Sequence, residues 1–435
     1  MIAQILFLVI LGAGVFLFTK KVREVIRNIN LGRDVKINDR PSERWAVMAK
    51  VAMGQSKMGA RPVAAFFHVL IYVGFIIINI EVLEIIIDGL FGTHRVLSFM
   101  GGFYDFLIGS FEILALGVLA ACVVFLARRN VLRIKRFTMR EMTSWPRTDA
   151  NLILITEIFL MTAFLLMNAA DSILQTRGAE HYITAGSFPV SAMFMPMLSG
   201  MSTDALILLE RGCWWFHIVG ILAFLNYVPY SKHFHILLAF PNTWYSKLTP
   251  KGQLTNMESV MNEVKLMMDP SAVPPPADPN AAPQRFGAKD VKDLTWKQLM
   301  DAYSCTECGR CTSSCPANLT GKILSPRKIM MDTRDRLEEV GKNINQHGAD
   351  HDDGKSLLND YISPEELWAC TSCNACVEAC PVLIDPLSII VDMRRYMVME
   401  QSAAPTELNG MFSKIENNGA PWQFSPADRM NWTEN

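Results

Sequence analysis

The sequence predicts an all-α protein: a five-helix transmembrane bundle followed by a soluble α-helical ferredoxin domain. Three observations carry that expectation. Half of the 435 residues are hydrophobic, and the long apolar runs are confined to residues 2–240. The remainder is polar, contains one proline-rich stretch and holds eight of the ten cysteines. Those eight cysteines form two groups of the same spacing, 65 residues apart, a weak internal repeat.

A helix needs roughly twenty residues to cross a hydrocarbon layer, and five runs reach or approach that length: 2–18, 63–91, 103–127, 150–174 and 211–240. The first, IAQILFLVILGAGVFLF, is as apolar as a signal peptide but lacks a basic start. TKKVREVIR follows it where small residues would mark cleavage, so it reads as an uncleaved span. Orientation follows from basic residues in short loops. Residues 19–62 contain eleven Lys or Arg and 128–147 contain seven, while the opposite loops, near FGTHR and from Gln175 to Arg211, contain three between them. The basic side is expected in the cytoplasm, which places the N-terminus outside and everything after Phe240 inside.

Four units are expected: a membrane domain over 1–245, an amphipathic helix (MESVMNEVKLMM) and Pro-rich linker over 246–288, a compact domain over 289–400 and an extended tail over 401–435. The linker, DPSAVPPPADPNAAPQ, is stiffened by its prolines and cannot build a core. VKDLTWKQLMDAYSC has helical spacing and leads into the first cysteine group.

The groups are CTECGRCTSSCP (Cys305, Cys308, Cys311, Cys315) and CTSCNACVEACP (Cys370, Cys373, Cys376, Cys380). Each has the form C-x2-C-x2-C-x3-C-P, in which three closely spaced thiolates hold one cubane and the fourth reaches across to the other. Two [4Fe-4S] clusters are expected, one on Cys305, Cys308, Cys311 and Cys380, the other on Cys370, Cys373, Cys376 and Cys315. Structural zinc would instead show ligand pairs with a longer spacer, and disulfides are disfavoured in a reducing cytoplasm. His347, Asp350, His351 and Asp352, between the groups, read as a solvated polar loop. Cys122 and Cys213, isolated in spans, read as small hydrophobes.

Three of the eight histidines lie at or near the ends of one apolar run, HIVGILAFLNYVPYSKHFH. On an unbroken helix His217 and His235 would share a face, five turns and about 27 Å apart, with His233 on nearly the opposite face and Pro229 a source of kinking. His68, about 10 Å along the second span from Arg61, falls at the same cytoplasmic depth as His235. Two antiparallel helices would thus offer both axial ligands of a b-type haem. Interfacial histidines or a proton relay are the alternatives. A second haem at His217 would need a partner, and the second span has Ile78 and no further histidine there. His233, His94 and His181 are expected at the surface. Glu81, Glu84, Glu112, Glu157 and Asp171 fall inside spans, where ionisable groups are costly, and are candidates to take protons from a quinol near His217.

The five spans, FFHVLI around His68, the interval from His217 to His235 and VPYSKHFHI resemble the cytochrome b subunit of respiratory nitrate reductases and its relatives in membrane-bound heterodisulfide reductases. That resemblance implies His68 and His235 as ligands of the cytoplasmic-side haem and His217 as one ligand of an outer haem; Ile78 departs from the family, which has a histidine there. From about Lys289 the chain is similar to the helical two-cluster ferredoxin domain of heterodisulfide reductases and of anaerobic glycerol-3-phosphate dehydrogenase iron-sulfur subunits, and IENNGAPWQFSPADRMNW loosely resembles a Gly-x-Pro-Trp segment of such proteins. The paired-cysteine domain that such relatives often carry next is not expected within these 435 residues. A membrane electron-transfer subunit is expected, linking quinone to a cytoplasmic iron-sulfur or flavin redox partner and embedded in lipid, with no nucleic-acid partner. The alternative is a membrane-anchored docking or redox-sensing protein without a conducting haem. Neither half carries a nucleotide-phosphate loop or a catalytic triad.

Overall fold

The computed structural model describes residues 1–269, 271 and 285–434. Most of the proline-rich linker lies outside them. Among the described residues there are helices and isolated bridges but no strand, so the all-α expectation holds. Five helices are long and apolar enough to cross a membrane: α1 (Ile2–Ile29), α2 (Pro62–Phe91), α3 (Gly102–Asn130), α4 (Trp145–Thr176) and α5, Thr203–Tyr227, which continues as a 3-10 turn to Tyr230. Their sequences supply the packing surfaces. Gly74 of α2 lets α3 approach until an added Cβ would lie 2.6 Å from Val118, the close helix contact that small residues permit in membranes.

Two spans differ most from their sequence-based bounds. α1 continues eleven residues past Phe18, to Ile29. At 1.5 Å per residue the whole helix is about 42 Å long, more than the roughly 30 Å of hydrocarbon. Its last turns leave the bundle and enter the soluble domain, where Val25 and Ile29 are buried in the same core as Leu299, Tyr303, Leu337 and Val340. Asn28 donates to Tyr303 Oη at 3.0 Å, and Lys21 pairs with Glu338 at 3.0 Å.

The second difference concerns the fifth span. The single run 211–240 is broken. After Tyr227 come two 3-10 turns, Val228–Tyr230 and Lys232–Phe234, and then α6 (His235–Trp244). Pro229 lacks an N–H and its ring excludes the carbonyl four residues back. Ser231 is extended (ψ 154°) and its hydroxyl accepts from the His233 N–H. The shared-face relation between His217 and His235 therefore does not apply, nor does the opposite-face placement of His233.

The amphipathic segment forms α7 (Glu258–Met268). In the soluble domain α8 (Trp296–Ser304) starts with a capping box at Thr295 and Gln298; α9 (Pro326–His347) and α10 (Pro386–Met399) pack around it. The tail is not extended: α11 (Thr406–Asn418) occupies it. Leu408, Met411, Phe412 and Ile415 give it helical spacing, and Gly419 at φ 65° ends it, the left-handed stop that glycine favours.

Candidate electron-transfer centre at the junction

The two cysteine groups have the same backbone. Cys305 follows α8 in extended conformation, Glu307 (φ 54°) and Gly309 (φ 70°) turn the loop through left-handed space, and a short helix, Arg310–Ser314, leads to Cys315–Pro316. In the second group Ser372 (φ 55°) and Asn374 (φ 60°) occupy the matching positions before Ala375–Ala379 and Cys380–Pro381. Successive positive-φ residues aim N–H groups into a concavity suited to anions. Gly309 is fixed by space as well, since a Cβ there would lie 2.5 Å from Arg327 Nη1.

The loops cross. Cys305, Cys308, Cys311 and Cys380 line one cavity, while Cys315 lies within electrostatic range of Cys370 and Cys376. Cys373, the remaining cysteine of the second group, is exposed. All ten cysteines are free of disulfides. Burial pushes the Cys305 thiol up to about 11 and those of Cys376 and Cys380 to about 12. Sulfurs in that environment become thiolates only against a strong local positive charge, as a metal supplies. No three described His, Cys, Asp or Glu side chains close around a single ion; Cys305, Cys308, Cys311 and Cys380 instead line a shared cavity.

Beside this cavity stands a histidine cluster. The rings of His68 and His235 are 6.5 Å apart between centroids, inclined at 42°. Two imidazoles bonded to one metal through ring nitrogens at about 2.0 Å have centroids roughly 6 to 6.5 Å apart, so the pair has the spacing of bis-histidine ligation. His235 Nδ1 donates to the Lys232 carbonyl at 3.0 Å, leaving Nε2 as the lone-pair nitrogen. His68 Nδ1 is buried without a partner. His233 is not at the surface. Its ring lies 5.6 Å from His235 and 5.3 Å from Phe224, and burial, with the neighbouring His235, lowers its pKa to about 3. The helix break at Pro229 puts it there.

Sequence reasoning missed the charged residues that tie these groups together. Lys232, whose carbonyl orients His235, sends its ammonium to Glu307 of the first cysteine loop and to the Pro146 carbonyl. Glu307 is 3% exposed; burial alone would raise its carboxyl, but Arg334 and Lys232 hold it below its ordinary value. Arg310 donates to the Lys57 carbonyl at 3.0 Å, and Arg61 to Ser313 Oγ at 2.9 Å, so the segment preceding α2 is bound to the first cysteine group. Arg129 and Arg136 both lie over the Phe137 ring, at 4.7 and 4.8 Å. Arg129 Nε and Nη2 and Arg136 Nε are buried and unpaired. Arg129 is one turn beyond Phe125, which packs on Phe67 beside His68. No local sequence signal marks these residues beyond the basic loops.

His217 is elsewhere. It is 2% exposed, donates from Nδ1 to the Leu160 carbonyl at 3.1 Å and has the Phe164 ring at 6.0 Å, with Ile78 in the same apolar core. Toward the far end of the bundle, a polar cavity is lined by Glu81, Glu84, Asp88, His94, Arg95, Asp171 and Glu210 among others. Arg95 donates to Asp171 at 2.6 Å and to Asn168 at 3.0 Å; Asn168 in turn donates to Glu112 at 3.1 Å. Glu81 Oε2 is buried with no hydrogen-bond partner. His94, expected at the surface, is instead packed on Tyr182 with Nε2 3.4 Å from Asp171, because Arg95 draws its loop into this network. His181 is exposed, as are His347, Asp350, His351 and Asp352. Cys122 is fully buried, Cys213 partly, and Glu157 is half-buried along α4.

Residues 304–384 match the family model described as a 4Fe-4S dicluster domain, which supports two [4Fe-4S] clusters. With five membrane-length helices, this defines an iron-sulfur protein of the membrane, of the electron-transfer class. The chain is 28% identical over 459 residues to the probable iron-sulfur-binding oxidoreductase FadF of Bacillus subtilis (strain 168), covering 99% of this chain and 60% of that protein. It is 26% identical over 428 residues to the EtfAB:quinone oxidoreductase of Syntrophomonas wolfei, covering 92% of this chain and 55% of that protein. Over 119 residues it is 35% identical to a component of the ferredoxin/F(420)H(2)-dependent CoB-CoM heterodisulfide reductase of Methanosarcina acetivorans, covering 27% of this chain and 60% of that component. The chain thus spans less than two thirds of the length of these relatives. No solved structure matches it. The relatives bear out the heterodisulfide reductase-like part of the resemblance; none of those reported is a nitrate reductase cytochrome b subunit.

Proposed function

We propose that the chain passes electrons between the membrane quinone pool and a separate redox partner on the cytoplasmic side, through haem b and two [4Fe-4S] clusters. The observation that carries this reading is the facing pair His68 and His235, joined through the Lys232–Glu307 contact to the loop of Cys305 and Cys308. Cys305, Cys308, Cys311 and Cys380 would hold one cluster, and Cys370, Cys373, Cys376 and Cys315 the other. His68 and His235 would hold the haem, with the unpaired Arg129 nitrogens available to a haem carboxylate. Bound at these positions, the groups would supply one-electron carriage across the junction.

The protein's own residues do the positioning. The Lys232 carbonyl fixes the His235 tautomer and ring direction, as a carbonyl behind a metal-bound imidazole does. Arg61 and Arg310 clamp the start of α2 onto the first cysteine group, so the haem-side helix and the cluster loop move as one. Glu81 and His94, each with an unpaired buried atom at the far-end cavity, are placed to exchange the protons of quinone chemistry. His217, with Phe164 as its ring neighbour, supports a single haem. One relative is named for EtfAB and quinone, which supports a soluble partner of that kind here.

The test is an optical spectrum of the detergent-purified protein before and after addition of quinol. Quinol-reducible bis-histidine haem absorption is the expected result. If no haem is bound, the reading fails and a membrane-anchored iron-sulfur docking or sensing protein is left.

A further inference from the structure

The two cysteine sites are surrounded by unequal charge. Around the first, Arg61, Arg136 and Arg310 form no ion pair with any described carboxylate. Arg136 and Arg310 are 8% and 6% exposed, and both lie within electrostatic range of Cys308. The other charges there cancel in pairs: Arg327 with Glu141 at 2.7 Å, and Arg334 and Lys232 with Glu307 and Asp149. These three arginines remain unbalanced, and Lys57, within electrostatic range of Cys380 and paired with no described carboxylate, is a fourth such cation.

The second site has one such cation. Arg394 donates to the Cys370 and Leu367 carbonyls at 2.5 and 2.6 Å, while Asp385, within electrostatic range of Cys376, is itself faced by Lys247 and Lys297. Hydrogen bonds to sulfur do not separate the sites: the Ile384 N–H donates to Cys380 Sγ at 3.3 Å and the Ser372 N–H to Cys370 Sγ at 3.4 Å.

Resting on the cluster reading above, we infer that Arg61, Arg136 and Arg310 make the Cys305/Cys308/Cys311/Cys380 site the more easily reduced of the two, so that electrons run from the exposed second site toward the membrane. A tetrathiolate cubane is anionic and gains a further negative charge on reduction, so nearby cations and N–H donors favour its reduced form. Exposure acts the other way, because water around Cys373 also stabilises charge. The cations prevail: Arg136 and Arg310 are buried, where a charge acts through low dielectric with little salt screening, and only one of the four sulfurs of the second site is exposed.

On this direction the partner is a reduced electron donor that meets the exposed Cys373 side. Each donor oxidised by two electrons sends them singly, and one quinone takes both, with two protons, to become quinol. The three arginines are positioning residues in the electrostatic sense, touching no substrate.

An EPR-monitored redox titration of the intact detergent-purified protein tests this. Two one-electron components are expected. Arg310→Gln should lower the midpoint of the upper component and leave the lower one in place, and Arg394→Gln should lower only the lower one. Arg136→Gln is the second probe, since that side chain donates no hydrogen bond among the described residues and its loss breaks no contact of that kind. The inference is overturned if Arg310→Gln or Arg136→Gln moves the lower component, or if neither moves either. Absence of any [4Fe-4S] signal in the unaltered protein would instead overturn the cluster reading itself.

Discussion

The two ends of the helical bundle bury charge of opposite sign. At the end facing the soluble domain the surplus is cationic, with Arg129 and Arg136 leaving guanidinium nitrogens unpaired. At the far end Glu81, Glu84, Asp88, Asp171 and Glu210 share a cavity with His94, Arg95 and Arg211, and Glu81 Oε2 and His94 Nδ1 lack hydrogen-bond partners. A chain of formal net charge -1 has therefore separated its charges along the membrane normal. Buried cations favour the arrival of electrons; carboxylates gathered within spans are candidates for proton exchange. The difference teaches that, on the proposed reading, electron handling and proton handling are segregated to opposite ends.

The strongest attempt to break this contrast is His68→Ala. Haem absorption should fall to less than about a tenth of its normal intensity, since one axial imidazole cannot hold a bis-ligated iron, while the cluster EPR signals persist; retention of the haem would refute the ligand pair. Glu81→Gln addresses the other end. Quinone-linked turnover should drop about 100-fold, the scale of a lost proton-transfer group, with haem and cluster spectra unchanged, and unaltered turnover would remove Glu81 from the proton path.

Gly341→Val sharpens the comparison by loosening only the soluble end. A Cβ at Gly341 would lie 2.5 Å from the Asn28 side chain, and the overpacking should cost about 1 to 3 kcal/mol, read as a lower thermal midpoint of the soluble domain with the far-end network intact. The smallest effect is expected from Asp353→Asn. Hydrogen bonds from Arg336 pull the Asp353 carboxyl from an ordinary 3.8 down to about 2. A depressed carboxyl contributes stability that is present above its unfolded pKa and is lost as pH falls through its folded one. The variant should thus be less stable by about 1 kcal/mol at neutral pH, and the deficit should vanish between about pH 3.8 and 2 in denaturation curves.

Much of this geometry was legible in the sequence, for reasons that differ by residue. The crossing of Cys380 toward Cys305 follows from a three-residue gap that makes a short helix of each group, and local spacing survives folding. The common depth of His68 and His235 follows from counting residues inward from Arg61, which does not depend on helix phase. Phase itself failed, because Pro229 ended α5 and turned His233 inward. Lys232 against Glu307, Arg310 on Lys57 and His94 on Tyr182 were not legible at all. Each is a contact between segments far apart in the chain, chosen by tertiary packing that no periodicity encodes. The far-end acids were visible as residues out of place in lipid, but not their sharing of Arg95.

The emergence of α1 beyond the bundle has a consequence for how the protein is made. Val25 and Ile29 are synthesised almost first, yet they complete a core whose other members, such as Leu337 and Ile390, arrive hundreds of residues later. Contacts so distant in sequence form slowly, and an apolar helix end waits exposed in the meantime, a site of aggregation. A fragment cut to 289–400 would lack Val25, Ile29, Val228 and Phe234, so the iron-binding half should be expressed with its first helix attached.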